Sequence, residues 1–595
     1  MNNSEVLTKL LKSYQYTHCF YVAGGNIMHI LDTMDREFIG IPFVSEYSAA
    51  IAAEYFNETN SLGSKAFALV TAGPGLTNTV TAIAGSYLES RNLLVIGGQV
   101  KEEDLSNEKV RQLGIQEIDG VALVSSITKK AMRLSSRIEW QKVIELLEAG
   151  EGGKPGPVFI EIPLNVQVQE ANLGVNKELI KVKIVETGGR ANDKQIEESI
   201  RIFRKSQRPI LLIGGGVNWH CSIELRSKLR NLKIPIMTTW NGADRYSTEE
   251  ENYFGRPNTW GQRYSNILIQ QADLVIAVGT RLGLQQTGFN YKEFVPKGAI
   301  IQIDIDPSEI KVDKLNVVAG YAVDACDYLQ RLLESIEKLP DYKPSFDWLN
   351  YCREVKSLLP LQEVTNVQHE GFLDPYRFML EISDLLESNE IVIPSSSGGA
   401  MTVCMQALQN KRGTRLVTNK SLASMGYGLA GAIGAAFANP SSKIVHIEGD
   451  GGFAQNLQEL GTIGANNLNV KTFILDNEGY ASIRMTQRNY FGGKYIGCDK
   501  STGLGLPSWT KLFESYGIES TTLKANTELS KQDDFLSLWG RSGPSAFIVP
   551  IHPEQTYYPK ISSRITVSGS MESAPLHQMS PELPKDLSAK VLKYL

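Results

Sequence analysis

In KIVHIEGDGGFAQNLQELGTIGANNLNVKTFILDNEGYASIR (443–484), one apolar run ends at Gly449-Asp450-Gly451-Gly452. A helical pattern follows, and a second apolar run, VKTFILD, ends at Asn477. Strand, glycine turn, helix, strand is the grammar of a parallel sheet. Glycines at a strand end let backbone N–H groups approach a phosphate closely. Asp450 is then placed as a hard oxygen ligand for Mg²⁺, which takes carboxylate, carbonyl and water. The side-chain carbonyl of Asn477 and the backbone carbonyl of Gly479 can complete the set, since adjacent parallel strands bring together residues distant in sequence. A lone GDG is common in turns; the pairing with Asn at the next strand end is what makes the stretch informative.

The same grammar recurs outward from this stretch, in FALVTAGPGLTNTVTAIAGSYLES (67–90), PILLIGGGVNWH (209–220) and ADLVIAVGTRLG (272–283). The chain is read as α/β, with three doubly wound parallel-sheet domains, ligands lying at the carboxyl ends of the strands. At 595 residues it is too long for a single core. Polar 166–195 and proline-bearing 338–348 suggest boundaries, giving units at 1–180, 190–340 and 365–560. The tail, 561–595, reads as a lid, a packed arm or a disordered terminus.

The totals exclude several classes. A hydrophobic fraction of 42%, a charged fraction of 21% and a formal net charge of -5 describe an ordinary globular chain with no electrostatic case for nucleic acid or an anionic membrane. The six cysteines are scattered, without a zinc or disulfide pattern, which fits a reducing cytoplasm. No run of about 18 apolar residues predicts a membrane span. The first residues read as an amphipathic helix and not a signal peptide.

The 443–484 pattern resembles the diphosphate-binding motif of thiamine-diphosphate enzymes. Such a cofactor needs a carboxyl group hydrogen-bonded to its aminopyrimidine ring, best in a dry pocket. Glu46, in IPFVSEYSAAIAAEYF, follows an apolar run, begins a helix and is trailed by alanines that permit close packing. Alone it reads equally as a helix-start glutamate favoured by the macrodipole. Its surroundings change that: FYVAGGNIMHIL, TAGPGLTN (71–78), VIGGQV, Gln116-Glu117, SITKKA (126–131) and KPGPVFIEIP (154–163) resemble, in order and near-spacing, the pyrimidine domain of acetolactate synthases.

That resemblance implies roles. Glu46 is the activating acid; Gly24, Gly25 and Asn78 lie near the pyrimidine or the reacting carbon; Gln99 and Gln116 face the substrate channel. In NKSLASMGYGLAGAIGAA, Met425 wedges between the cofactor rings and the backbone near Ala423 meets the pyrimidine. Ser396 and Ser397, with Ser395 before them, bond phosphate or substrate, and Tyr480 and Ser482 join Gly449, Gly451 and Gly452 around the cofactor. The middle unit falls where acetolactate synthases bind FAD, implying Gly214, Gly215, Gly216, Thr280, Arg281, Asp304, Asp306 and Asp324 as its contacts; the same fold in relatives binds ADP, or nothing. A homodimer or homotetramer is implied, with Glu46 of one chain facing the diphosphate half-site of another.

The match weakens on the acceptor side. Pro163-Leu164-Asn165 stands where the family has Pro-Lys-Asp, Ser397-Gly398-Gly399-Ala400 where it has Gly-Gln-His, and ASIRMTQRNYFGG, without tryptophan, follows the metal turn. Arg484 and Thr486 fall near that place, and an arginine in the channel would suit a carboxylate- or phosphate-bearing acceptor. The implied activity is decarboxylation of a 2-oxo acid, pyruvate first, with ligation to an acceptor carbonyl: pyruvate, a keto sugar or a sugar nucleotide. A decarboxylase or oxidase is the alternative with the same cofactor. An inert nucleotide-binding protein is the alternative of another class, against which Glu46, Asp450 and Asn477 all speak.

Overall fold

The computed structural model describes residues 1–60, 62–106, 110–171, 188–339, 346–565 and 571–595. Parts of both boundary segments, 172–187 and 340–345, and residues 566–570 of the tail lie outside the described residues.

Three parallel sheets, each from one continuous stretch of chain, form the framework. The first contains β1 (Tyr16–Tyr21), β2 (Ile39–Pro42), β3 (Lys65–Val70), β4 (Leu93–Gln99), β5 (Lys130–Arg133) and β6 (Pro157–Pro163), in the order β2-β1-β3-β4-β6-β5. The second contains β7 (Pro209–Ile213), β8 (Ile236–Thr238), β9 (Leu274–Val278), β10 (Ala299–Asp304) and β11 (Val317–Ala322), ordered β11-β10-β9-β7-β8. The third contains β12 (Ile391–Pro394), β13 (Arg415–Leu416), β14 (Ile444–Gly449), β15 (Val470–Asp476), β16 (Ser520–Thr522) and β17 (Ser545–Pro550), ordered β13-β12-β14-β15-β17-β16. The central strands are apolar along their whole length because helices cover both faces; β9 is buried at every position.

Strand order locates the ligand sites. In each sheet the direction of travel first reverses beside the opening strand: between β1 and β3, between β7 and β9, and between β12 and β14; the first and third sheets also step back at their far edge, from β5 to β6 and from β16 to β17. At the first reversal loops diverge to opposite faces and leave a crevice at the carboxyl ends. Gly24 and Gly25 follow β1, Gly214 to Gly216 follow β7, and Ser395 to Ser397 and Gly449 to Gly452 follow β12 and β14.

The first and third units join through two helices, Glu46–Thr59 and Tyr427–Ala438, whose buried residues belong to one core cluster. Small residues let the backbones meet: a Cβ on Gly434 would stand 2.1 Å from the Ala52 carbonyl oxygen. Described parts of the tail pack on the middle unit. Arg263 donates to the carbonyls of Met579 (3.3 Å) and Pro581 (2.8 Å), Gln271 donates to that of Val591 (2.9 Å), and Leu576 and Val591 are buried. No helix among the described residues is long and apolar enough to cross a membrane.

Candidate active site

Register between β14 and β15 sets the first part of the site. Gly449 pairs with Leu475, so Asp450 emerges beside the turn that follows Asp476. Asp450 is buried; its Oδ2 accepts from the Gly479 N–H at 2.8 Å and the Asn477 N–H at 3.3 Å, and its Oδ1 from the Gly451 N–H at 2.7 Å. Burial, and then the nearby Asp476 carboxylate, push the Asp450 acid up to about 8. The outward atom of the Asn477 amide lies 2.7 Å from the Gly479 carbonyl oxygen and 3.2 Å from Asp450 Oδ1; with Nδ2 there the amide donates to both. A half-turn of the amide would bring Oδ1 to the same place, and the three oxygens would then suit a cation. Bonds of 2.0–2.1 Å in an octahedron give neighbouring oxygens about 2.9 Å apart, so these separations fit Mg²⁺. Among the described residues, no cluster of three or more His, Cys, Asp or Glu side chains offers another metal site.

The turn is built for this shape. Glu478 has φ +63 and Gly479 φ +132. A Cβ on Gly479 would come within 2.3 Å of the Cys498 carbonyl oxygen, so only glycine fits. Gly451 meets the Tyr480 ring, where a Cβ would stand 2.4 Å from the ring carbon; at Gly449 the space is open.

Two helix N-termini converge on the same end of the sheet. Ser397 precedes the helix Gly398–Ala407, Tyr480 precedes Ala481–Tyr490, and a Cβ on Gly398 would lie 3.8 Å from Ser482 Oγ. Such ends attract phosphate through free N–H groups and the helix dipole. Ser396 Oγ instead donates to the Ser424 carbonyl, tying this loop to the 423–426 segment. There Ala423 has φ +56, and Gln455 Nε2 lies 3.7 Å from Met425 Sδ.

Glu46 opens its helix after β2, and Asn78 Nδ2 donates to Glu46 Oε2 at 3.0 Å. Its neighbours dock on the third unit of the same chain: Ser45 N–H on Glu459 (2.9 Å), Tyr47 Oη on the Met425 carbonyl (3.2 Å), and Ser48 Oγ on Asn456 (2.7 Å). Gly24 sits tightly against Thr71, while Gly25 faces open space. Gln116, exposed at φ +65, packs its backbone on Gly73. Gln99 differs from the channel-facing position expected of it. It is fully buried; Nε2 donates to the Ile118 carbonyl (2.8 Å) and Glu161 Oε1 (3.0 Å), and Oε1 accepts the Val100 N–H (2.9 Å).

Three family models of the thiamine pyrophosphate enzymes match the chain, each on a different sheet. The N-terminal TPP-binding domain matches residues 1–123, the central domain 196–332, and the C-terminal TPP-binding domain 397–545. The chain belongs to the thiamine pyrophosphate enzyme family. Relatives of this thiamine pyrophosphate enzyme match over nearly its whole length. A protein named probable acetolactate synthase large subunit from Methanocaldococcus jannaschii is 29% identical over 550 residues, 89% of each chain. Its namesake from Methanococcus aeolicus is 28% identical over 545 residues, again 89% of each. Acetolactate synthase isozyme 2 large subunit from Escherichia coli (strain K12) is 26% identical over 575 residues, 96% of this chain and 100% of its own.

In this enzyme the middle-unit candidates have work inside the chain. Gly214 and Gly216 press on Gly279, and Gly215 on Asn241. Thr280 Oγ1 accepts the Leu282 N–H at 3.4 Å, and Arg281 donates to Ser421 Oγ at 2.9 Å. Asp304 accepts the Asp306 N–H at 3.0 Å, Asp306 binds Lys154 at 3.1 Å, and Asp324 caps the helix Ala325–Glu337. Nor does Arg484 stand in an acceptor channel. It is buried, its guanidinium donating to the carbonyls of Asn477 and Glu478. Thr486 is exposed and bonds the Ser482 carbonyl at 3.0 Å.

Sequence reading also missed Glu54, which is buried between the first and third units with Arg91 at 2.8 Å and the Tyr427 hydroxyl. A glutamate inside the apolar run AAIAAEYF was the available signal, because a buried charge needs a partner.

Proposed function

We propose that the chain is an acetolactate-synthase-type enzyme, in which thiamine diphosphate and Mg²⁺ support decarboxylation of pyruvate or a related 2-oxo acid and ligation of the two-carbon unit to an acceptor carbonyl. The observation that carries it is the meeting of the Asn477 amide with Asp450 Oδ1 and the Gly479 carbonyl oxygen at 2.7–3.2 Å beside two helix N-termini. The residues fit the pair: three oxygens for the cation, N–H groups and open space at Gly449 for the diphosphate, a carboxylate at Glu46 for the pyrimidine.

When bound, thiamine diphosphate accepts the electron pair released as CO₂ leaves. The residues of the chain bind and orient. Asp450, Asn477 and Gly479 hold the cation, Ser397, Gly449, Gly452 and Ser482 surround the diphosphate, and Ala423 and Met425 fix the ring end. Glu46 hydrogen-bonds the pyrimidine and supports the proton movement that activates it, with Asn78 orienting its carboxylate.

Two finer parts belong to the same reading. The glycines after β7 and β9 lie at a sheet reversal suited to the pyrophosphate of FAD. A flavin visible spectrum in the purified protein supports that part, and its lack after reconstitution removes it. A homo-oligomer is inferred from the family and from two exposed apolar sets: Leu113 and Ile115 beside Gln116, and Tyr490, Phe491 and Ile496 beyond the metal turn.

Mass spectrometry of products from labelled pyruvate with a panel of acceptors tests the activity. With uniformly labelled pyruvate, a ligated product is expected that carries two labelled carbons on an unlabelled acceptor and is labelled throughout where a second pyruvate is the acceptor. Acetaldehyde or acetate alone would move the reading to a decarboxylase or oxidase.

A further inference from the structure

The buried guanidinium of Arg484 needs an explanation, because it reaches neither solvent nor an open channel. It stands 3% exposed. One prong donates to the Asn477 carbonyl, the other to the Glu478 carbonyl at 3.3 Å, and Asp499 Oδ2 lies 3.9 Å away. Its Nε is buried without a partner. Asn477 and Glu478 are the residues that lead into Gly479.

We propose that Arg484 is a positioning residue for the divalent-metal site, holding the 477–479 turn in the shape that aims the Asn477 side chain and the Gly479 carbonyl at Asp450. The proposal rests on the metal reading given above.

The geometry supports it from three sides. Two consecutive residues, Glu478 and Gly479, take positive φ, a backbone shape that persists only where its surroundings over-determine it. The far wall is rigid: Gly479 pairs with Asp499 in an antiparallel bridge, the Tyr480 N–H donates to the Cys498 carbonyl at 2.8 Å, and Asp499 caps the short helix Lys500–Thr502 with a reciprocal capping box. Arg484 is the clamp on the near side, one helical turn after Tyr480. A planar fork holds two successive carbonyls at a fixed separation and angle, whereas an ammonium head, which can also bond two carbonyls, fixes neither. Carbonyls bound in this way also cannot rotate toward the cation, so the turn presents only the carbonyl of Gly479. Partners behind the ligands of a metal commonly change its affinity by about 10–100-fold.

The test is metal binding by the full chain with thiamine diphosphate present, read by calorimetry with Mg²⁺ and by electron paramagnetic resonance with Mn²⁺. For Arg484→Gln the metal concentration at half-saturation is expected to rise by about 10–100-fold. Excess Mg²⁺ should restore cofactor binding, and the unfolding temperature of the metal-free protein should stay close to that of the wild type. Arg484→Lys, which keeps the charge but loses the fork, should weaken binding to a smaller degree. Unchanged metal affinity in a folded Arg484→Gln overturns the proposal. If that variant does not fold, wild-type affinity in Arg484→Met, which keeps the apolar stem and has no donor, overturns it. Failure of the wild-type protein to bind any divalent metal with thiamine diphosphate removes the metal reading itself, and this inference with it.

Discussion

The outward amide atom of Asn477 and Asp450 Oδ1 lie 3.2 Å apart although 27 positions separate the two residues. With Nδ2 in that place the amide donates to Asp450 Oδ1 and to the Gly479 carbonyl oxygen; a half-turn presents Oδ1 instead, and three oxygens then meet. A divalent cation would take the second orientation and offset the burial of the Asp450 charge.

Removing that charge separates metal binding from folding. Asp450→Asn keeps the shape of the side chain and relieves a buried carboxylate that burial and Asp476 already hold well above its ordinary range. The variant should unfold at or above the wild-type temperature while losing at least about 100-fold in Mg²⁺-dependent thiamine diphosphate affinity. Calorimetry alongside a thermal melt measures both. Full cofactor affinity in Asp450→Asn would show that the cation is held elsewhere.

The contact of Gly434 with the Ala52 carbonyl leaves no room for a side chain. Gly434→Val forces the helices Glu46–Thr59 and Tyr427–Ala438 apart and should destabilise the protein by about 1–3 kcal/mol. Cofactor binding should fall with it, since Glu46 rides on the displaced helix. Denaturant unfolding at wild-type midpoint would mean that the two units do not close this tightly.

Glu54 gives a pH signature. Burial, the largest influence, raises its carboxyl above the ordinary value, and Arg91 opposes that. In Arg91→Met the opposing charge is gone, so the folded-state pKa rises further above the unfolded one. A raised acid loses stability as pH climbs past its unfolded value, because the unfolded chain releases its proton first. Arg91→Met should therefore lose about 3–5 kcal/mol near pH 8 and distinctly less near pH 5, because the more strongly raised Glu54 takes up its proton before the unfolded chain does. Equal losses at the two pH values would contradict this assignment.

The α/β class was legible because glycine-rich turns fall at strand ends, and Asp450 and Asn477 stand just past the ends of β14 and β15 as the sequence suggested. The misread residues are polar side chains whose partners are distant or are backbone atoms. The resemblance implied a channel-facing Gln99, but its amide is taken by Glu161, on the neighbouring strand β6 and 62 positions away. Arg484 follows the metal turn and so looked like a receptor for an anionic acceptor, but it bonds carbonyls that no side-chain pattern encodes. The pairing of Glu54 with Arg91 and Tyr427 depends on two units meeting, which periodicity within either unit does not report.

Proton exchange at C2 of bound thiamine diphosphate, followed by NMR after mixing into deuterated buffer, tests most directly whether Glu46 and the Asp450 turn serve one cofactor. In Glu46→Gln, Mg²⁺-dependent cofactor binding should persist while exchange slows by about 100–10,000-fold. Exchange at the wild-type rate in a variant that still binds the cofactor would contradict the shared site.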